Sequence, residues 1–222
     1  AEADPTDMRL LRMPDLHGDA LVFVYGGDLW LASRAGGEAR RLTASIGYES
    51  SPKFSPDGRW IAFSAEYSGT RQVHVIPAAG GTPRQLTYYS DVGPMPVRGG
   101  TDYRVLDWTP DGKQVLVRAN RVPFDERGGR PYLVPVEGGL ETPLVIPESG
   151  AGSLSPDGTE FAYTPIDRDF RSWKRYRGGR AQDVWIYDLA RNASRQLTDF
   201  AGSDHQPAMA VTTSATTVAS PR

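Results

Sequence analysis

The chain has 222 residues, and 25 Lys and Arg against 27 Asp and Glu leave a formal net charge of -2. This length is sufficient for one sizeable domain or two small ones. The balanced charge provides no general attraction to nucleic acid or to an acidic membrane surface. The sequence has no Cys, which excludes disulfides, thiolate metal ligands and cysteine nucleophiles. No apolar run approaches the roughly 18–20 residues that a membrane-spanning helix needs.

The chain begins with "AEADPTD" and lacks an initial Met. A start rich in small residues is typical of the site where a secretory signal peptide has been removed, and a trimmed chain is the alternative explanation. We therefore expect a periplasmic or secreted protein, with the cytoplasm as the alternative location, and we treat residues 1–8 as an N-terminal lead.

A Ser/Thr-Pro-Asp-Gly sequence occurs three times, and the spacing from Asp57 to Asp111 and on to Asp157 is 54 and 46 residues. Proline presets the second turn position, Asp accepts backbone hydrogen bonds, and Gly adopts a positive φ. We interpret these residues as structural turns, because the alternative, a Ca²⁺ loop, needs several oxygen ligands at alternating positions. The turn residues are Pro56, Asp57, Gly58, Pro110, Asp111, Gly112, Pro156, Asp157 and Gly158.

Two further markers accompany the turns. Gly pairs occur in "RAGGEA", "AAGGTP" and "VEGGLE", and short segments such as "RRLT" and "RQLT" follow them. The predicted unit is strand, Pro-Asp-Gly turn, strand, loop, strand, Gly turn and short strand. Four strands in a period of about 44–55 residues, with apolar runs that suit a sheet covered on both faces, are typical of propeller blades.

The predicted fold class is all-β: an incomplete β-propeller of four-stranded blades over residues 9–207. We assign the blades to 9–43, 44–87, 88–144 and 145–198. A fifth blade is predicted to start at 199–207, because "TASIGYESSP" aligns without gaps on "TDFAGSDHQP". Residues 208–222 are rich in Ala, Thr, Ser and Val and carry no turn signal, so we expect a disordered or non-native tail.

Signatures of catalysis are missing from the sequence. It contains three His residues, His17, His74 and His205, and no Gly-x-Ser-x-Gly, His-Glu-x-x-His, phosphate-loop or Gly-x-Gly-x-x-Gly motif. We expect His74 to be packed in the middle of a strand, and the other two to lie at strand entries. We therefore assign no catalytic residue, no metal ligand and no cofactor.

The densest positive charge lies in "DRDFRSWKRYRGGRAQD" (167–183), between the second and third strands of the fourth blade. Arg forks bind carboxylates well, so this loop suits an acidic or C-terminal carboxylate group of a peptide. A solvated loop or a contact with another domain is the leading interpretation, and recognition of such a carboxylate is a further option. Stacking on nucleic-acid bases is disfavoured by the net charge and the nearby acidic residues. The candidate contact residues are Arg171, Trp173, Lys174, Arg175, Tyr176, Arg177 and Arg180.

Two longer stretches resemble the N-terminal β-propeller of tricorn protease and its homologues: "MPDLHGDALVFVYGGDLWLAS" (13–33) and "WKRYRGGRAQDVWI" (173–186). The Pro-Asp-Gly turns alone are also shared with TolB-type propellers. The resemblance covers about 9–207 and implies that the four blades belong to a six-bladed ring. In that family a second propeller, a PDZ-like module and a domain with a serine nucleophile follow, so the resemblance implies a parent serine peptidase.

We therefore expect an N-terminal propeller fragment that acts as a scaffold and as a channel or gate for peptides, and that lacks the catalytic domain. The alternative is a TolB-like periplasmic propeller that binds proteins and has no peptidase activity. The expected partners are peptides or other domains of the parent protein, with neither nucleic acid nor membrane. We also expect self-association, because an unclosed ring exposes apolar faces.

Overall fold

The computed structural model describes residues 10–89, 103–120, 129–146, 148–166, 182–200, 202–204 and 206–209. Within these ranges the secondary structure consists of strands, arranged in four antiparallel sheets of four strands each. Consecutive strands are neighbours in every sheet, so each sheet is a meander of hairpins. The predicted all-β fold with four strands per repeat is confirmed. Across the same ranges, no helix is long and apolar enough to cross a membrane.

The chain divides into two compact units, Ala1–Tyr88 and Tyr89–Arg222. The first unit contains two sheets, which we call blades 1 and 2. Blade 1 consists of β1 (Arg12–His17), β2 (Ala20–Tyr25), β3 (Asp28–Ser33) and β4 (Arg40–Arg41). Blade 2 consists of β5 (Glu49–Phe54), β6 (Trp60–Ala65), β7 (Gln72–Pro77) and β8 (Arg84–Gln85).

The second unit contains blades 3 and 4. Blade 3 consists of β9 (Arg104–Trp108), β10 (Gln114–Ala119), β11 (Arg130–Pro135) and β12 (Thr142–Pro143). Blade 4 consists of β13 (Gly152–Leu154), β14 (Glu160–Tyr163), β15 (Trp185–Asp188) and β16 (Ala193–Gln196).

Each unit has an apolar core in which one blade packs on the next. In the first unit, Val22, Val24 and Leu29 of blade 1 cluster with residues of blade 2, and in the second unit Leu106 and Leu116 of blade 3 cluster with residues of blade 4. Burial of apolar area in these clusters is the main favourable contribution to folding. The blade 2 members are Phe54, Ile61, Phe63, Ala65 and Ile76, and the blade 4 members are Leu154, Phe161, Tyr163 and Tyr187.

The Pro-Asp-Gly turns join the first and second strands of blades 2, 3 and 4. In the first of them, the Asp57 carboxylate accepts the Ser55 hydroxyl at 2.6 Å and the Arg59 N–H at 3.0 Å, and Gly58 has φ +69°. The hydrogen bond from Ser55 is the largest cause of the lowered pKa of Asp57. The same two contacts recur at Asp111 and Asp157. The three carboxylates therefore stabilise their own turns.

Candidate functional site

A surface formed by the first strands of blades 1 and 2 combines exposed apolar and charged groups. A propeller arranges its blades around a central channel, and in the first unit the two first strands, β1 and β5, contact each other. We call Arg12–His17 and Glu49–Phe54 together the first-strand surface. On β1, Leu16 is 54% exposed and Met13 is 37% exposed, and Arg12 is also exposed. Large exposed apolar side chains beside a cation are suited to binding a partner.

An acidic residue joins the two strands of this surface. The Asp15 carboxylate accepts the Lys53 ammonium at 2.8 Å and the Phe54 backbone N–H at 2.8 Å. The N–H of Phe54 lies on the edge of blade 2, where no strand of its own sheet can pair with it. The carboxylate therefore satisfies an edge donor and fixes blade 2 against blade 1.

The second unit contains the same joint. Asp107 of β9 accepts the Ser153 hydroxyl at 2.8 Å and the Leu154 N–H at 2.9 Å. The strand registers show the equivalence, because Phe54 pairs with the first core residue of β6 and Leu154 pairs with Phe161 of β14. The joint is thus a repeated feature: an acid on one first strand accepts the backbone N–H of the next first strand.

The first strands carry bulges with unusual backbone angles. Register shifts interrupt the β1–β2 pairing between Arg12 and Asp15 and the β5–β6 pairing between Ser50 and Lys53. Inside these bulges Met13 has φ +50° and Ser51 has φ +52°, and the Ser51 N–H points at the Met13 sulfur at 3.1 Å. Such angles cost free energy in residues other than Gly, and bulges re-aim side chains at functional edges of sheets.

Two His rings of the first unit contact main-chain carbonyl oxygens. His17 Nε2 lies 3.1 Å from the Pro56 carbonyl oxygen, and His74 Nδ1 lies 3.2 Å from the Gln72 carbonyl oxygen. Among the described residues no group of three His, Cys, Asp or Glu side chains could hold a metal ion.

A buried carboxylate lies at the start of β5. Glu49 is fully buried, and its oxygens accept the Leu29 N–H at 2.9 Å, the Tyr67 hydroxyl at 2.5 Å and the Thr43 hydroxyl. Burial raises the pKa of Glu49, and the hydrogen bonds from Thr43, Tyr67 and Leu29 oppose that shift. Because Leu29 and Thr43 belong to blade 1, this carboxylate forms a second contact between the two blades, separate from the joint at Asp15.

Three rings pack beside this carboxylate. His74 stacks on Phe63 with centroids 5.7 Å apart and meets Tyr67 edge-on at 4.8 Å. Burial lowers the pKa of His74, while burial, followed by the hydrogen bond to Glu49, raises the pKa of Tyr67. His74 lies in β7 and is buried, whereas His17 is the last residue of β1.

The Leu-Thr marker has a hydrogen-bonding role. The Thr43, Thr87 and Thr198 hydroxyls accept the backbone N–H groups of Leu29, Val73 and Val184 at 2.9, 2.9 and 3.0 Å. These three N–H groups occupy the same place at the start of the third strand in blades 1, 2 and 4.

Blade 3 departs from this pattern in three residues at once. Pro131 stands at the donor position, because the hydrogen bond from the Leu144 N–H to the Pro131 carbonyl matches the one from the Leu42 N–H to the Leu29 carbonyl. A proline has no N–H and therefore cannot donate there. Val145 occupies the position of the threonine. Ser149 occupies the position of Glu49, because its N–H bonds to the Gly129 carbonyl as the Glu49 N–H bonds to the Gly27 carbonyl. The donor and both of its acceptors are therefore replaced together.

The basic loop residues from Arg171 to Arg180 lie outside the described residues, and so does His205. Their assignment as peptide or interdomain contacts stays a prediction.

The sequence reasoning did not find the joints at Asp15 and Asp107. No residue-type signal was available for either joint, because the partner of each acid is a backbone N–H.

Four-stranded meanders that pack face to face, with first strands that meet inside each unit, define a β-propeller. Solved structures share the fold. The crystal structure of the tricorn protease aligns with a TM-score of 0.68 at 23% identity over 89% of this chain and 19% of that chain. The putative TolB from Agrobacterium tumefaciens aligns with a TM-score of 0.68 at 22% identity over 89% of this chain and 65% of that chain. The expected propeller fold is confirmed, with four blades of four strands in the described part of the chain.

Residues 8–215 match the family described as the tricorn protease N-terminal beta propeller domain, and this chain belongs to that family. Tricorn protease homolog 1 from Streptomyces coelicolor is 34% identical over 182 residues, which are 82% of this chain and 16% of that protein. The putative tricorn-like protease N-terminal subunit from Sulfurisphaera tokodaii is 25% identical over 79% of this chain and 85% of its own length. The chain thus spans less than a fifth of the Streptomyces relative and most of the Sulfurisphaera subunit.

Proposed function

We propose that this chain is the scaffold and peptide-channel module of a tricorn-like serine peptidase, and that the catalytic residues belong to another domain. Membership of the tricorn N-terminal propeller family supports the link to a peptidase. The first-strand surface supports the binding role, because it combines exposed Arg12, Met13 and Leu16 with the ion pair of Asp15 and Lys53. An extended peptide offers backbone, carboxylate and apolar groups that these residues can contact.

Exposure on β1 is the single observation that carries the proposal. On this strand Leu16 is 54% exposed, Met13 is 37% exposed and Arg12 is also exposed, and such a group of exposed apolar side chains indicates an interaction surface more than a single exposed leucine does. The side chains that alternate along β1 therefore include groups available to a molecule that passes along the strand.

A peptidase assay on this chain beside its full-length parent tests whether the catalytic residues lie in another domain. We expect hydrolysis of peptide substrates by the parent and none by the chain. Hydrolysis by the chain would contradict the proposal. The role of the surface is tested in the parent by Leu16→Lys, which should lower kcat/KM for long peptides and leave that for short peptides unchanged. Leu140→Lys, at another exposed leucine, is the matched control.

A TolB-like protein-binding propeller without peptidase activity is the second candidate. The equal TM-score to the Agrobacterium TolB supports this fold relationship, although it covers the fold alone. The two candidates differ in the encoded parent: a peptidase domain downstream supports the first, and a parent that binds proteins and hydrolyses none supports the second.

A further inference from the structure

The outer strand of blade 4 is longer than the outer strands of the other blades. β16 has four residues, Ala193–Gln196, and all four are exposed. The outer strands β4, β8 and β12 have two residues each, and such short edges protect a sheet against pairing with another chain. β16 lies at the edge of its sheet opposite the first strand, β13. Blade 4 therefore has the longest outer edge among the described blades.

The turn before β16 explains the length of this strand. Blades 1, 2 and 3 enter their outer strands through Gly pairs, whereas blade 4 uses a turn without Gly. In that turn the Asp188 carboxylate accepts the N–H groups of Ala190 and Arg191 at 3.0 and 2.8 Å, and Asn192 has φ +53°. Strand pairing then begins directly after the turn, where Asp188 lies opposite Ala193.

The register fixes which main-chain groups of β16 face the open side. The Leu197 N–H points to β15, where it bonds to the Val184 carbonyl at 2.8 Å. Successive residues of an antiparallel strand direct their N–H and carbonyl groups to opposite sides. The main-chain groups of Ser194 and Gln196 therefore point away from β15. In the part of the chain that the structure describes, no strand pairs with that side of β16.

The two ends of this edge carry opposite charges. Arg191, in the turn before β16, has 83% of its side chain exposed, and its ion pair with Asp188 at 3.3 Å is a weak surface contact. Asp199, three residues beyond Gln196, is also exposed. Opposite charges that face each other across an antiparallel pair stabilise it. A second copy of β16 in the reverse direction meets this requirement, because its own Asp199 then lies at Arg191 and its own Arg191 lies at Asp199.

We propose that blade 4 pairs edge to edge with blade 4 of a second copy of this chain, through antiparallel β16 strands related by a two-fold axis at Arg195. In this register Ser194 of each copy lies opposite Gln196 of the other, so four main-chain hydrogen bonds form. Arg191 then lies opposite Asp199 at both ends. The interface is isologous, because the same patch serves both copies.

The register also brings the two Arg195 side chains together at the axis. Each of them is paired with its own Glu160 at 3.5 Å, which offsets their mutual repulsion. The contact is small, so we expect a dimer that dissociates on dilution. The inference is independent of the peptide-channel role. It also concerns a different surface from the apolar faces of an unclosed ring, because β16 lies at the edge farthest from the first strands.

Sedimentation equilibrium of the full chain at several concentrations tests the pairing. The wild type should form dimers that dissociate on dilution. Ser194→Pro removes an outward N–H that the ladder with β15 does not use, and it should weaken dimerisation by about tenfold, because each copy loses one main-chain hydrogen bond. Ser194→Ala is the matched control. It loses the same 3.1 Å contact with the Tyr163 hydroxyl and keeps the N–H, so it should dimerise like the wild type.

Charge reversal tests the direction and the register, and it decides the outcome if the proline variant does not fold. Arg191→Glu and Asp199→Lys should each weaken dimerisation by about tenfold, because like charges then meet at both ends. An equimolar mixture of the two variants should dimerise again, since each end of the mixed dimer joins one acid and one base. Arg34→Glu and Glu38→Lys, in the exposed β3–β4 turn, change the net charge equally and should have no effect.

Four results would overturn the proposal. The first is a wild-type chain that stays monomeric at every concentration. The second is a dimer that Ser194→Pro leaves unchanged, because another surface would then form the contact. The third is a mixture of the two charge variants that stays monomeric. The fourth is a monomer in which the amides of Ser194 and Gln196 resist hydrogen exchange until residues 210–222 are removed, because the chain's own tail would then occupy the edge.

Discussion

The Asp15 carboxylate of β1 accepts the backbone N–H of Phe54 in β5 at 2.8 Å, across the boundary between two blades. Asp107 holds Leu154 in the same way at 2.9 Å. Apolar packing between blades has little direction of its own, whereas a charge-assisted hydrogen bond has a defined geometry. These contacts therefore set the position of one blade on the next, while the apolar clusters provide most of the free energy.

Asp15→Ala should lower the free energy of unfolding by about 1–3 kcal/mol, because the Phe54 N–H loses its partner. Asp15→Asn should cost less, since its amide oxygen can still accept that N–H. Urea unfolding measures both effects. Glu38→Ala removes an acid from an exposed loop and serves as the control. An equal loss in Asp15→Ala and Glu38→Ala would contradict the role of this joint.

Gly58→Ala should destabilise the chain more than Gly26→Ala. Both glycines have positive φ, +69° and +63°, so alanine costs about 1–2 kcal/mol at either position. A Cβ on Gly58 would also lie 2.3 Å from His17 Nδ1, while a Cβ on Gly26 meets nothing within 4 Å. A double-mutant cycle of Gly58→Ala with His17→Ala should show less than additive losses, and additive losses would argue against this contact.

Thr87→Val should lower the free energy of unfolding by about 1–3 kcal/mol, because the Val73 N–H loses its 2.9 Å acceptor. Val145→Thr is the reverse change at the equivalent position of blade 3. It should stay within about 0.5 kcal/mol, since Pro131 offers no N–H and Val145 is exposed. Thermal or urea unfolding of both variants provides the comparison, and a stabilising Val145→Thr would contradict this explanation.

Glu49 should make the chain less stable as the pH rises. Burial raises its pKa in the folded state, so the folded chain binds this proton more tightly than the unfolded chain does. The contribution is fully present below the unfolded pKa of about 4.3 and is lost as the pH rises through the folded pKa. Glu49→Gln should remove this limb of the stability profile, as followed by urea unfolding across pH. An unchanged profile would show that Glu49 titrates normally.

His74 should act in the opposite direction. Burial lowers its pKa, so its contribution is present above the unfolded pKa of about 6.5 and is lost as the pH falls through the folded pKa. His74→Phe keeps the stacking on Phe63 and cannot titrate, so it should lose less stability than wild type on acidification. The same unfolding series tests it, and identical acid limbs in the two proteins would exclude His74 as the cause.

Local signals predicted the fold well. The turn at Asp57 has its hydrogen bonds within a few residues of the chain, so the sequence alone indicates it. The joint at Asp15 has a backbone N–H from position 54 as its partner, and a main-chain donor leaves no residue-type signal. Ser51 precedes a proline, a position at which extended backbone is the usual expectation, so the sequence did not indicate its positive φ. The basic loop around Lys174 stays a prediction.

The substitution of Pro131, Val145 and Ser149 for a donor and its two acceptors bears on how such chains can diverge after gene duplication. A single change to proline at position 29 would leave the buried carboxylate of Glu49 with one hydrogen-bond donor fewer. The path from one kind of blade to the other therefore passes through a destabilised intermediate unless the three changes arise in a tolerant order. Loss of the acidic side chain first, then of the N–H, and of the hydroxyl last avoids both an orphaned charge and a buried N–H without an acceptor. A blade transferred into another propeller should therefore carry all three of these residues together.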